Sequence, residues 1–315
     1  MKTHTQMIKN TERTILVTGA TGTVGSEVVK QLVYSGQNII RAAVHSQNKA
    51  DKFKGDNKTV DIVNIDYTKP ESIADALNHV DKLFLVTVHA PNIVAADISS
   101  NFVKEAKKNG CIKYIVKLSV MGADAELGTT IGRLHRQEEK IIEESGIPYT
   151  FLRPTSFMQN FVNIYGPTIK SKNAFYMPGG DAKVSFVDVR DIASVAAKVL
   201  LTEHDHDDDD DGRRHIGKAY DITGPEALSY CQVAEILSCA TGKKISYVNI
   251  SEADARRRMK DIGLEEWFIN ITLEQADNYR RGYASQLSDA VELITGNKPI
   301  SFTQFTKDYA EAFNC

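Results

Sequence analysis

Hydrophobic positions in this chain switch repeatedly between strand-like runs and helical spacing. Thr14 to Thr18 is a short β-rich apolar run, and from Val24 to Tyr34 the residues Val24, Val28, Val29 and Leu32 recur at helical intervals. A glycine-rich turn separates the two, so the first unit reads strand, turn, helix. Runs at Ile39 to Val44, Val60 to Ile65, Leu83 to Val88 and Tyr114 to Leu118 predict further strands, divided by helical stretches around Glu71 to Asn78 and Ile93 to Lys108. A helix over Arg133 to Glu144 ends at Gly146 and leads into a strand at Pro148 to Leu152. Strands alternating with helices pair in parallel through right-handed crossovers, which predicts an α/β fold with a doubly wound parallel sheet.

Beyond Arg153-Pro154 the rhythm loosens. Phe157 to Ile164 reads as a short helix, Lys183 to Val187 as a strand, Arg190 to Leu201 as a helix and Ala219 to Thr223 as a strand. The remainder is mainly helical, with one strand near Ile245 to Val248. The expected organisation is a flexible leader at 1–13, then a dinucleotide-binding Rossmann domain at 14–155 whose sheet is completed by 183–223. A smaller, mainly helical lobe at 156–182 and 224–315 would cover the carboxyl edge of the sheet, where open α/β sheets bind ligands.

Composition narrows the function classes. The 315 residues carry a formal charge of −3, which gives no broad cationic face for nucleic acid. No window reaches the roughly 18 uninterrupted apolar residues of a membrane span, and the leader lacks an apolar stretch, so a cytoplasmic protein is expected. Cys111, Cys231, Cys239 and Cys315 form no CxxC pair and are expected as reduced, mostly buried thiols. The segment 203–215 holds five consecutive aspartates and reads as a solvated acidic loop. Its His204, His206 and His215 are too irregularly spaced for a designed metal site, and none is expected.

The strongest chemical signal is Gly19-Ala20-Thr21-Gly22-Thr23-Val24-Gly25, between the first strand and the first helix. Gly19 permits the tight turn, Gly22 lets the backbone approach a diphosphate, and Gly25 allows the helix to pack closely on the strand. The helix N-terminus offers unpaired N–H groups to the phosphates. At the end of the second strand, where NAD sites place a carboxylate for the ribose hydroxyls, stands His45, with Arg41 four residues earlier and Lys49 soon after. Without a carboxylate to repel a 2′-phosphate, the site is expected to favour NADP(H) over NAD(H).

Several strings together resemble the NmrA-like atypical short-chain dehydrogenase/reductases: Thr18-Gly-Ala-Thr-Gly-Thr-Val-Gly25, Ile65-Asp-Tyr-Thr-Lys-Pro-Glu-Ser72, Glu143-Glu-Ser-Gly-Ile-Pro-Tyr-Thr-Phe-Leu-Arg-Pro154, Phe157-Met-Gln-Asn160 and Phe186-Val-Asp-Val-Arg-Asp191. The glycine string is widely shared, whereas the one ending at Pro154 is far more specific. The resemblance implies that Asp66 and Tyr67 border the adenine. It implies that Thr87, Val88 and His89 border the adjoining ribose and phosphates, and Pro154, Thr155 and Phe157 the nicotinamide. The family includes NAD(P)H-dependent quinone, dye and phenylpropanoid reductases, and redox sensors that bind the nucleotide without consuming it.

No Tyr-x-x-x-Lys pair opens the helix near Arg133; Ile131 and His135 stand at that spacing. By resemblance to reductases that use a lysine from this helix, His135 takes the acid-base position, and an imidazole can donate a proton near neutral pH. Ser119 ends the fifth strand where short-chain dehydrogenases keep a substrate-binding serine. Lys117, two residues earlier on the same strand face, is a further catalytic candidate, although a solvated edge residue is the plainer account. Tyr176, Met177, Phe157, Met158 and Trp267 are candidates for an apolar pocket for a flat substrate. The leading expectation is an NAD(P)H-dependent reductase of a small carbonyl, quinone or aromatic acceptor, as a monomer or a homo-oligomer. The alternative is a non-catalytic nucleotide sensor; an interaction module with a vestigial loop is the weakest.

Overall fold

The computed structural model describes residues 13–36, 38–45, 53, 60–88, 95–126, 128–202 and 215–313. Seven strands form one parallel sheet: β1 (Thr14–Val17), β2 (Ile39–Val44), β3 (Val60–Asn64), β4 (Lys82–Leu85), β5 (Tyr114–Leu118), β6 (Tyr149–Pro154) and β9 (Lys218–Ile222), in the order β3-β2-β1-β4-β5-β6-β9. The central strands read as continuous apolar runs because both faces of the sheet are covered. One face is packed by α1 (Thr23–Ser35) and α7 (Val189–Leu201), through Val28 and Leu32 on the first and Ile192 and Val199 on the second. The other carries α2 (Pro70–Leu77), α3 (Ala95–Asn109) and α4 (Thr130–Glu143), which contribute Leu77, Phe102 and Ile142 to the core. Strand order reverses between β1 and β4, so the loops after these two strands open a crevice at the carboxyl edge.

The smaller lobe has its own core. Helices α5 (Asn160–Asn163) and α6 (Gly166–Lys172) lead to β7 (Ala174–Met177), which pairs in parallel with β11 (Ser246–Asn249); β8 (Lys183–Val184) pairs antiparallel with β10 (Leu228–Ser229). Around them lie α8 (Tyr230–Thr241), α9 (Glu252–Asp261), α10 (Glu266–Arg280), α11 (Ala290–Thr295), α12 (Phe302–Asp308) and α13 (Ala310–Phe313). Phe161 is the hub of this core, meeting Phe175, Phe186 and Phe302 edge-to-face at 5.5, 5.3 and 5.1 Å.

Several expectations are corrected. The strand beginning at Lys82 stops at Leu85 rather than Val88, because the Thr18 hydroxyl takes over its continuation, accepting from Val86 N–H at 2.7 Å and lying 3.0 Å from Val86 O. Lys183 to Val187 supplies only two strand residues and these pair with β10, so β9 alone completes the large sheet. Ala174–Met177 was not legible as a strand; its partner β11 lies far along the chain. Cys231 and Cys239 are exposed, and Cys111 is partly so, rather than buried. The core face of α8 is taken by Tyr230, Val233, Ala234 and Leu237 at helical spacing, which turns both of its cysteines outward. Residues 203–214 of the acidic loop lie outside the described residues, while His215 is buried with Nδ1 2.9 Å from the Tyr220 hydroxyl. Among the described residues no helix is long and apolar enough to cross a membrane.

The strings Phe157-Met-Gln-Asn160 and Phe186-Val-Asp-Val-Arg-Asp191 meet in space. Asp188 caps α7, accepting from Arg190 N–H at 2.8 Å, and also accepts from Gln159 Nε2 at 2.9 Å; Gln159 Oε1 in turn accepts from Val189 N–H. Asp191, nearly buried in the first turn of α7, accepts from Ile300 N–H at 2.8 Å. Burial pushes its carboxyl up to about 6, with Asp188 adding to the shift while the Ile300 bond and Arg190 oppose it. A raised folded-state value means the native protein holds this proton more tightly than the unfolded chain. Stability from this group is therefore present below pH ~4, falls as pH rises toward 6, and stays low above it. Asp191→Asn, which keeps an oxygen for Ile300, should flatten that slope and raise stability at pH 7.5 by about 1–3 kcal/mol, read from thermal unfolding between pH 4 and pH 8.

Candidate functional site

The glycine loop is shaped by its neighbours. Gly19 sits at φ +59°, and its N–H donates to the Tyr67 hydroxyl at 3.2 Å. Gly22 N–H returns to Gly19 O at 2.8 Å, closing the turn. A Cβ at position 25 would stand 2.2 Å from Gly19 O, so only glycine lets α1 approach β1 this closely. Gly22 is the N-cap of α1 and no side chain caps the helix, leaving its first N–H groups and positive dipole end facing the crevice. This backbone cradle fits a diphosphate. Tyr67 is held against Phe102 at 6.0 Å, and burial pushes its phenol up, so it stays neutral at the loop. Asp66 turns back on its own segment, accepting from Thr68 N–H and hydroxyl at 3.0 and 2.6 Å. His45 directly follows β2, with Nδ1 3.4 Å from Ile65 O, at the carboxyl edge.

Arg41 is not part of this site. It lies four residues before His45, which is ~13 Å along an extended chain. Its guanidinium is bound to Asp61 at 2.7 Å and to the carbonyls of Ala76 and Asn78 at the end of α2. Lys49 and His89 lie outside the described residues.

Two of the three catalytic candidates come together. Lys117 is buried with no exposed surface, correcting the solvated-edge account, and its Nζ lies 3.4 Å from His135 Nδ1. The ammonium also meets Glu138 Oε2 at 3.2 Å, Leu118 O at 2.8 Å and Thr87 Oγ1 at 3.3 Å. Burial holds the Lys117 pKa below the usual lysine value, while Glu138 and then Glu139 draw it back up. Glu138, on the face of α4 turned to the sheet, accepts from the Ser99 hydroxyl at 2.8 Å and has Oε1 3.6 Å from His135 Nδ1. Ser119 lines the same small cavity as His135, with its hydroxyl donating to Glu139 at 2.7 Å. Glu139 also takes both Arg153 Nε at 2.9 Å and Nη2 at 2.8 Å, with Arg136 at 3.1 Å, forming a buried clamp between α4 and β6.

The sequence reading missed Glu138, Glu139 and Arg153 as partners. The available signal was a lysine inside an otherwise apolar central strand, which requires a buried anion nearby, and α4 supplies carboxylates one helical turn beyond His135.

His135, partly buried, lines a junction cavity of about 200 Å³ with Thr87, Val120, Pro154, Thr155 and Phe157. Val120, Pro154, Thr155 and Phe157 also line a larger cavity of about 330 Å³ in the lobe, which adds Tyr165, Met177, Tyr279 and Gln275. Phe157 and Met177 thus take their expected places. Met158 instead is buried core, and Trp267 donates its indole N–H to Glu265 away from the cavity; its neighbour Phe268 is the lining residue. Among the described residues the Gln275 Oε1 is buried without a hydrogen-bond partner, a polar handle on an otherwise mainly apolar wall. Helix α10, which carries Gln275, also reaches α4: Glu274 accepts from Thr130 N–H at 2.9 Å.

With that geometry in place, comparisons with known proteins agree on the fold. The model of the NmrA-like family matches residues 11–297. A protein of Xenophilus azovorans named NAD(P)H azoreductase is 35% identical over 95% of this chain and 99% of its own. The crystal structure of an NADPH-dependent quinone oxidoreductase from Escherichia coli, complexed with NADPH, is similar at a TM-score of 0.80 and 26% identity, covering 94% of this chain and 99% of that one. That of Citrobacter sp. triphenylmethane reductase complexed with NADP(H) has a TM-score of 0.78 at 28% identity, covering 93% and 99%.

The cradle makes a direct prediction. Gly25→Ala should leave the far-ultraviolet circular dichroism close to that of the parent protein but weaken NADPH binding at least tenfold by calorimetry, because the added methyl must push Gly19 out of the turn.

Proposed function

The chain belongs to the NmrA-like family, and we propose that it is an NAD(P)H-dependent reductase that passes hydride to a quinone or other aromatic acceptor seated in the lobe cavity beyond Phe157. One observation carries this reading. His135, backed by Lys117 and Glu138, stands where the nucleotide crevice opens into that cavity. Relatives spanning nearly the whole chain bear the names of NAD(P)H-dependent reductases of azo compounds and quinones, which supports the same chemistry here.

The nicotinamide nucleotide supplies the hydride when bound. The protein's own residues do the rest. The glycine loop and the open N-terminus of α1 hold the diphosphate, with Tyr67 bracing Gly19. Thr87, Pro154, Thr155 and Phe157 wall the junction and set the distance between ring and acceptor. Hydride arrival leaves negative charge on an acceptor oxygen or nitrogen, and His135 donates the proton that neutralises it. Lys117 presents a donor to Nδ1, which places the proton of the neutral imidazole on Nε2. Glu138 at 3.6 Å from the same nitrogen stabilises the imidazolium form. Both groups meet the ring at Nδ1, one suited to the neutral and one to the charged form, which leaves Nε2 to give up a proton and take another.

For the coenzyme, we favour NADP(H): His45 directly follows β2, where a carboxylate would repel the 2′-phosphate.

Two variants test these assignments by steady-state kinetics with acceptor and nucleotide each varied, and by calorimetric titration of NADPH. His135→Ala should lower kcat for quinone reduction by roughly 10²-fold or more while leaving the Kd for NADPH within twofold. His45→Asp should move the ratio of kcat/KM for NADH over NADPH toward NADH at least tenfold; an unchanged ratio would remove His45 from coenzyme selection.

A further inference from the structure

A second lobe cavity has no part in the chemistry above. It measures about 360 Å³ and shares Ile164, Tyr165, Met177, Phe268 and Thr272 with the acceptor cavity, so the two lie back to back across a common wall. The inner part of that wall is closed by the Tyr165 hydroxyl, 2.6 Å from the Met177 sulfur. Its outer edge is open: Ile164 and Phe268 are 54% and 39% exposed although both are large and apolar. A flat acceptor longer than one ring, seated in the first cavity, can extend across Ile164 and Phe268 toward the second.

The second cavity suits an aryl ring followed by an anion. Tyr176, Met259 and Leu264 give it apolar walls. Over Tyr176, at 4.2 Å from the ring centroid, lies the guanidinium of Arg258, which also lines the cavity. Stacking uses the face of a guanidinium and leaves its N–H edge to bind. Among the described residues that edge has no hydrogen-bond acceptor and no carboxylate within 4 Å. Asp254, one turn earlier, is bonded to Arg257 and Ser251 and attracts Arg258 only from beyond 4 Å. Lys172, at the end of α6, lines the same cavity, so two cations face the single carboxylate of Asp261.

We propose that this cavity is a distal subsite for acceptors that carry a second aryl ring ending in a carboxylate or sulfonate, with Arg258 as the anion-binding residue. The proposal rests on the reductase reading and deepens it by naming the shape and charge of the acceptor.

The test uses the full chain with NADPH, 1,4-benzoquinone as a single-ring acceptor, and two probes, azobenzene and 4-phenylazobenzoate. As competitors of benzoquinone reduction, or as substrates in their own right, the carboxylate should bind at least tenfold better than azobenzene. Arg258→Ala should erase that advantage and Arg258→Lys keep part of it, with kcat and KM for benzoquinone within twofold. Ala255→Phe, which fills the cavity from α9, should weaken both two-ring probes and spare benzoquinone. Calorimetric titration of 4-phenylazobenzoate reads the subsite without turnover. Equal binding of the two probes, or an unchanged constant in Arg258→Ala, overturns the subsite. Absence of benzoquinone reduction in the parent protein, with the anion still bound through Arg258, overturns the reductase reading instead.

Discussion

The arrangement around the site depends on a charge that has no access to water. An ammonium in the middle of a parallel sheet is tolerated only when surrounding groups replace its hydration. Lys117 obtains that replacement from three elements besides its own strand: Glu138 and His135 on α4, Thr87 after β4, and Ser99 on α3 acting through Glu138. Removing one partner of such a pair typically costs about 3–5 kcal/mol, because the other is left buried and uncompensated. Meeting this requirement fixes the rotation of α4 about its axis, which turns His135 toward the junction cavity. The histidine is thereby placed by the lysine's need for neutralisation.

A second requirement acts on the opposite bank of the crevice. Close approach of α1 to β1 depends on the missing side chain at Gly25, and the tyrosine at 67 fastens the turn from the adjoining strand end. Together these leave bare amides at one end of the crevice and a proton donor at the other. The lobe adds the wall at which an acceptor is held.

Much of this was legible beforehand because its signals are local. All seven sheet strands, the glycine turn and α1 follow from periodicity and turn chemistry, and the motif strings pointed to the family. What stayed hidden depends on contacts between distant segments. Lys117 looked like a solvated residue because nothing near it in sequence neutralises it; Glu138 arrives from a helix beginning thirteen residues on. Ser119 stands on the cavity wall, but strand position alone does not reveal that Glu139 takes its hydroxyl. Arg41 had the right charge, but β3 and the end of α2 claim it. The β7 strand could not be seen without β11, and Trp267 was misjudged by one position, since helix phase puts Phe268 on the cavity side.

The bond from Glu274 to the first turn of α4 has a consequence for how such a site can diversify. The same helix lines the acceptor cavity through Thr272 and Gln275 and, at the residue between them, grips the element bearing the histidine. Widening the cavity by shifting this helix outward would drag the imidazole with it. New specificities are therefore more accessible through side-chain exchange on a stationary backbone than through helix displacement, and position 274 marks the hinge point that a redesign has to leave alone.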